Sequence, residues 1–216
     1  LIKGKKRHEE ISKLYQENPE KLIEYNLLDC KLVYDILKET KIVELAMERS
    51  QLTGMPLDKI TSSIAAFDSL YIREARKRGL VSPTTTYKQR EERIKGGYVY
   101  STQQGIYDNI LVFDFKSLYP SIIKTFNIDP SSFIGKEKAE ENDAKVITAP
   151  NNAQFRNQEG ILPQIIERLH QAREKAKKEK RELSSYAIKI IMNSFFGVLA
   201  SPNCRYFSLD IANAIT

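Results

Sequence analysis

Hydrophobic positions along this chain change rhythm several times. From Pro19 to Leu45, the residues Leu22, Ile23, Leu27, Val33, Ile36 and Leu37 recur at helical spacing, which predicts a helix after a shorter one over Glu9–Leu14. Thr53-Gly54-Met55-Pro56-Leu57 breaks that pattern and marks a segment boundary. A further helix is predicted over about Ile60–Arg78, with Ser62 and Ser63 near its start and Gly79 as its stop. Residues 80–95 are polar and read as loop, and Gly96-Gly97-Tyr98-Val99-Tyr100 reads as a turn entering a strand. Ile110-Leu111-Val112-Phe113-Asp114-Phe115 is a short apolar run behind the turn Tyr107-Asp108-Asn109, which predicts a buried strand. A helix is expected from about Pro120, and residues 135–160 read as irregular. Two helices, Leu162 to about Arg181 and Ser184–Leu199, close the chain as an antiparallel hairpin.

Composition narrows the classes. The 216 residues are 41% hydrophobic and 29% charged, an ordinary globular balance with room for one or two domains. No apolar run reaches the roughly 20 residues of a membrane span, and the basic start Leu1–Arg7 is followed by no apolar signal core. Cys30 and Cys204 stand far apart, which argues against a disulfide scaffold or zinc finger and fits a reducing cytoplasm. Two histidines, His8 and His170, exclude a multi-histidine metal site.

Charge adds a partner class. From Ile161 to Lys189 eight Lys/Arg face four Glu, so most of the net +6 lies in the predicted hairpin. Such a stripe suits a polyanion, although a solvated helix face explains it equally well. The faces decide more than the total. Arg173 and Lys177 are four apart and share one face, while Leu162, Ile165, Ile166, Leu169, Ala172 and Ala176 form the apolar one. In the second helix Lys189, Asn193 and Phe196 share a face, while Ile188, Met192, Phe195 and Leu199 pack elsewhere. The pair can therefore present Arg173, Lys177 and Lys189 to one polyanion.

A carboxylate in an apolar strand needs a partner, because an unpaired buried charge costs several kcal/mol. For Asp114 that partner is a metal ion, or a turn or Lys116 in a purely structural reading. Lys116-Ser117-Leu118 lead into a helix N-terminus at Tyr119-Pro120-Ser121, whose free N–H groups suit a triphosphate.

Asp114-Phe115-Lys116-Ser117-Leu118-Tyr119-Pro120-Ser121-Ile122-Ile123 resembles motif A of family B DNA polymerases, the DxxSLYPSII box. Lys189-Ile190-Ile191-Met192-Asn193-Ser194-Phe195-Phe196-Gly197 is similar to motif B, KxxxNSxYG, and Gly160-Ile161-Leu162-Pro163 through Arg173 and Lys177 looks like the preceding fingers helix. The resemblance implies that Asp114 is a metal-binding catalytic aspartate and that the Phe115 carbonyl faces a metal. It implies that the Ser117 and Leu118 backbone holds the triphosphate, and that Tyr119 stacks under the deoxyribose. Arg173, Lys177 and Lys189 become the triphosphate clamp, Asn193 lies near the nucleotide, and Phe196 and Gly197 border the nascent base pair. The family's usual tyrosine is Phe196 here, so its hydroxyl bonds toward the minor groove are lost.

Tyr25 and Asp29 stand at i,i+4, a spacing that lets a carboxylate hold a metal while a phenol orients water. In this position they resemble motif III of a 3′–5′ proofreading exonuclease. Gly96-Gly97-Tyr98 resembles the segment that links exonuclease to palm and tracks template DNA. Within the family, Tyr25–Cys30, Gly96–Val99 and Ala187–Ala200 look most like bacterial DNA polymerase II and related archaeal enzymes.

The implied fold is mixed α/β (α+β): 1–50 the end of an exonuclease domain, 51–159 the connection and first part of a palm with a short β-sheet, 160–200 a helical-hairpin fingers domain, and 201–216 the return into the palm. The implied activity is DNA-directed DNA synthesis with two Mg²⁺ held by Asp114 together with a second aspartate absent from this sequence, and with Asp29 as a metal ligand in the exonuclease remnant. Implied partners are primer-template DNA, deoxynucleoside triphosphates and a sliding clamp, in a cytoplasmic, nucleoid-associated setting. The family's Tyr-Gly-Asp-Thr-Asp motif is not in this sequence, so the expectation is an internal segment, inactive by itself. Two rivals remain: a nucleic-acid-binding module without chemistry, which leaves Asp114 and Ser117–Tyr119 unexplained, and a nuclease, which needs carboxylates near Asp29 that residues 1–28 supply only as scattered glutamates.

Overall fold

The computed structural model describes residues 7–86, 96–97, 99–136 and 145–216. The chain divides into two compact units, Leu1–Leu45 and Ala46–Thr216.

In the first unit, α1 (Arg7–Glu17) packs against α2 (Pro19–Thr40). Asn18 caps α2 by accepting from the Lys21 amide at 3.1 Å, and Pro19 opens the helix, where its missing N–H costs nothing. Lys41, at φ 50°, stops it. The predicted helix over Pro19–Leu45 is thus two helices, since α3 (Ile42–Thr53) starts anew beyond that left-handed residue. Spacing alone could not show the break, because helical periodicity resumes on both sides. No residue of α2 is buried.

The second unit carries the core. Gly54, at φ 71°, ends α3, and a Cβ there would lie 2.7 Å from Arg73 Nη1. The Thr53 carbonyl accepts from Ser69 Oγ and Arg73 Nη2, tying that corner to α4 (Ser63–Lys77). A 3₁₀ turn at Leu57–Lys59 precedes α4, and Ser62 caps the helix through the Ala65 amide. Its end is a Schellman motif: Gly79 takes φ 71° while the Leu80 amide reaches back to Ala75 O at 2.9 Å. The expected glycine stop is confirmed.

Helices α5 (Leu118–Thr125), α6 (Ile161–Lys178) and α7 (Glu182–Leu199) complete the frame, with α8 (Leu209–Asn213) after them. Phe67 and Tyr71 of α4, Ile165, Ile166 and Leu169 of α6, and Ile188, Ile191, Met192 and Phe195 of α7 share one buried cluster. Each such side chain contributes about 1.5–3 kcal/mol over leaving it exposed. The α6–α7 hairpin turns through Lys180 at φ 56°, with the Arg181 amide bonded to Ala176 O at 2.8 Å, a second Schellman closure without glycine.

Three short strands, β1 (Phe133–Gly135), β2 (Val146–Thr148) and β3 (Gln154–Arg156), form an antiparallel sheet in the order β1-β3-β2. Phe155 pairs with both Phe133 and Ile147 and is fully buried. A short sheet within 51–159 matches the expected fold class, but β2 and β3 fall where irregular chain was expected over 135–160, because three-residue strands carry too little alternation to be read.

The opposite error falls at Ile110–Phe115. This segment forms no strand, and Val112 and Phe113 are nearly nine-tenths exposed. A strand is stable only with a ladder partner and a covering layer, and no described segment supplies either. Residues 96–97 and 99–100 likewise form no strand.

Candidate active site

Asp114 is exposed, so burial does not compel it to take a partner. What gives it a setting is the turn that follows. Ser117 adopts φ 54°, ψ 54°, the left-handed region that disfavours an L side chain by roughly 1–2 kcal/mol, and so turns the chain from the preceding segment into α5. Ser121 donates from Oγ to Lys116 O at 3.3 Å and from its amide to Ser117 O at 3.0 Å, holding the corner. The first amides of α5 then lie at a helix N-terminus, a positive dipole end suited to anions.

Facing that corner are α6 and α7. Asp114, Phe115, Lys116, Ser117, Leu118 and Tyr119 line one side of a cleft of about 450 Å³, and Arg173, Lys177, Lys189 and Asn193 line the other. Residues some 60 positions apart in sequence thus meet as the motif spacing anticipates. The volume lies in the roughly 300–1,000 Å³ range of small-molecule sites.

Cations dominate this cleft, and they differ in state. Arg173 Nε is buried without a hydrogen-bond partner, which costs about 1–3 kcal/mol and suits a wall that receives an anion. Lys177 donates to Glu174 Oε1 at 3.0 Å, and Lys116 stands 3.6 Å from the same oxygen. The hydrogen bond from Lys177, reinforced by the charge of Lys116, holds the Glu174 carboxyl below its ordinary value. Lys116 therefore pairs across the cleft rather than in the Asp114 salt bridge that a structural reading of the sequence offered. Lys189 and Asn193 are exposed on α7.

The ring of Tyr119, which lines the cleft, lies 5.2 Å from that of Phe196 on α7, tilted at 40°. Gly197 next to Phe196 is exposed, and a Cβ there would meet nothing within 4 Å. Gly96 and Gly97 are also exposed with open surroundings, and Tyr98 lies outside the described residues. Tyr25 and Asp29 sit half-buried one turn apart on α2, in the first unit. Among the described residues, no three His, Cys, Asp or Glu side chains gather as a metal cluster.

Two features were not visible in the sequence. One is Glu174, whose spacing from Lys177 marks only an ordinary helical ion pair. The other is the support beneath α6. Asp129, fully buried, accepts from Tyr71 Oη at 2.9 Å, from the Leu162 amide at 2.8 Å, and from the Ser131 amide and hydroxyl. Every partner is a donor, as an ionised carboxylate requires. Burial, and then the Asp129 charge, pushes the Tyr71 phenol far above its ordinary value, so it stays a donor. Asn127 donates to Arg156 O and Gln158 O and accepts from the Gly160 amide at 2.9 Å. Gly160 has no room for a side chain, since a Cβ would fall 2.7 Å from Asp129 Cβ. Asp129 thereby caps α6 from another segment, a pairing that no local sequence signal announces.

Comparison with known proteins bears on the whole of this arrangement. The sequence model of DNA polymerase family B matches residues 61–216. DNA polymerase II of Escherichia coli is 37% identical over 97% of this chain, and a DNA polymerase of Desulfurococcus is 30% identical over 96% of it. The solved family B DNA polymerase of Pyrobaculum calidifontis superposes with a TM-score of 0.64 and 25% identity over 82% of the chain. The chain covers 27%, 29% and 25% of those three proteins respectively, so it spans about a quarter of their length. No described helix is long and apolar enough to cross a membrane. With the motif residues gathered in one cleft and the family match running from Thr61 to the last residue, the chain belongs to family B of the DNA polymerases.

Proposed function

We propose that this chain forms the nucleotide-receiving part of a DNA-directed DNA polymerase. One observation carries the reading: four residues of the α6–α7 hairpin and six around the Ser117 corner, far apart in sequence, line a single cleft. In this assignment 1–50 belong to a 3′–5′ exonuclease, 51–159 to the connection and palm, 160–200 to the fingers and 201–216 to the palm return. Primer-template DNA and deoxynucleoside triphosphates are the substrates, a sliding clamp is a partner of the whole protein, and its setting is the cytoplasmic nucleoid.

The residues divide the work by chemistry. Arg173, Lys177 and Lys189 neutralise the triphosphate, Arg173 with its planar fork and the lysines as point charges. The Ser117 and Leu118 amides, at the head of α5, hold phosphate oxygens. Tyr119 supports the sugar, and Phe196 packs beside the base. Preorganised positive charge of this kind lowers the barrier as negative charge moves onto the leaving pyrophosphate.

Among the described residues Asp114 is the one carboxylate lining the cleft, and it fits as a single protein ligand of Mg²⁺, an ion that takes one or two carboxylates and completes its shell with substrate phosphates and water. The Asp114 carboxylate would hold the ion, and the chemistry it would supply there is activation of a hydroxyl nucleophile and neutralisation of developing negative charge. Gly96, Gly97 and Tyr98 are assigned to template DNA, and Tyr25 and Asp29 to the exonuclease remnant.

The direct test is equilibrium binding of dATP with Mg²⁺ to the chain and to Lys189→Ala. A charged contact to phosphate is worth about 1.5–3 kcal/mol, so the affinity should fall roughly ten- to a hundredfold. Unchanged dATP binding together with lost DNA affinity would instead identify a basic nucleic-acid module.

A further inference from the structure

Glu174 occupies an unexpected place for an anion. It stands half-buried on α6 between Arg173 and Lys177, two residues that line the cleft, and is not itself part of the lining. A single oxygen, Oε1, lies 3.0 Å from Lys177 Nζ and 3.6 Å from Lys116 Nζ. Those two lysines come from opposite sides of the cleft, one from the segment before α5 and one from the hairpin. One anionic oxygen of the glutamate thus lies between lysines of the two walls. Glu179, the next acidic residue on the same stretch, pairs instead with Arg181 at 2.8 Å and Lys175 at 3.9 Å beyond the cleft.

We propose that Glu174 is a resident anion on two lysines of the cleft: it neutralises Lys116 and Lys177 in the absence of nucleotide and is displaced from them by an incoming triphosphate. The inference rests on the nucleotide reading above. A free lysine pair attracts any small anion and repels itself. With Glu174 in place both cations are held near the positions they need, and only a ligand able to outcompete the carboxylate releases them. Each exposed ion pair is weak. The competition therefore tunes affinity without abolishing it, and Glu174 acts as a positioning residue.

The experiment is titration of the 216-residue chain with dATP and Mg²⁺, followed by calorimetry. Glu174→Gln should bind dATP about 3- to 10-fold more tightly, whereas Glu179→Gln, which removes the same charge outside the cleft, should change affinity less than twofold. Damage to the fold would weaken binding, so a gain separates displacement from a structural role, and circular dichroism verifies that both variants are folded. In a Lys116→Met background the gain from Glu174→Gln should shrink, because one of its two partners is gone. Equal gains from both glutamates would reduce the effect to net charge and overturn the proposal, as would unchanged or weaker binding by Glu174→Gln or an undiminished gain in Lys116→Met. Failure of the unaltered chain to bind dATP would overturn the nucleotide reading itself. Binding that Lys189→Ala weakens but Glu174→Gln leaves unchanged would sink this inference alone.

Discussion

Tyr119 and Phe196 approach with ring centroids 5.2 Å apart, and this contact joins the head of α5 to α7 at the margin of the core. Tilted rings at such a separation contribute about 0.5–1.5 kcal/mol beyond their buried area. Tyr119 is only half-buried, so one side of the ring remains toward the cleft it lines.

Tyr119→Ala in the intact polymerase is expected to relax discrimination between ribose and deoxyribose. A ring lying under the sugar excludes a 2′-hydroxyl sterically, and removing it relieves the clash for ribonucleotides while costing deoxynucleotides only packing. The measurement is kcat/KM for a matched ATP and dATP pair in parent and variant. A ratio that stays fixed while both values fall would make Tyr119 a packing residue held by Phe196.

Glu74 offers a pH signature. It accepts from Lys77 at 2.9 Å and from Arg168 at 3.0 Å, linking α4 to α6. The hydrogen bond from Lys77, joined by Arg168 and opposed by burial, holds its carboxyl below the ordinary value. Depression in the folded state means that the stabilisation is present above the unfolded value of about 4.3 and is lost as pH falls through the folded one. Glu74→Gln should therefore cost about 0.5–1 kcal/mol at pH 7, with the difference from the parent vanishing as acid protonates the carboxylate. Urea denaturation at pH 7 and pH 3 reads this directly. An equal deficit at both would trace the loss to packing.

Asp129→Ala is expected to be far more damaging. It leaves the Tyr71 hydroxyl and the Leu162 amide without their buried acceptor, and hydrogen bonds to charged groups are worth about 1.5–3 kcal/mol each. A loss of about 3 kcal/mol or more should appear in chemical denaturation, against about 1 kcal/mol for Tyr71→Phe. If the two variants lose equally little, the network carries less than its burial suggests.

The legible parts of this molecule were those whose chemistry is local. The stop at Gly79, the apolar faces of α6 and α7, and the shared row of Arg173 and Lys177 all follow from helical period and turn chemistry, and the structure reproduces them. The segment Ile110–Phe115 was misread because an apolar run specifies a strand only when a partner strand lies alongside, and sequence cannot state whether one does. Lys41 interrupts a helix without any composition signal, since a left-handed lysine resembles every other lysine on the page. Asp129 and Glu174 escaped for a related reason. Their partners Tyr71, Leu162 and Lys116 lie some 30 to 60 residues away, and an isolated acidic letter does not reveal them.

The buried carboxylate beneath α6 also has a mechanical meaning. Asp129 and Asn127 fasten the helix at Gly160 and Leu162, whereas Arg173 projects from it eleven residues farther on. At 1.5 Å per residue that is an arm of about 16 Å. A tilt of about 10° about this fulcrum would carry the guanidinium through about 3 Å, the span between a hydrogen bond made and one lost. The core that α6 shares with α4 and α7, together with the Glu74–Arg168 pair, braces that arm along its length, so the root and the core jointly fix where the guanidinium stands.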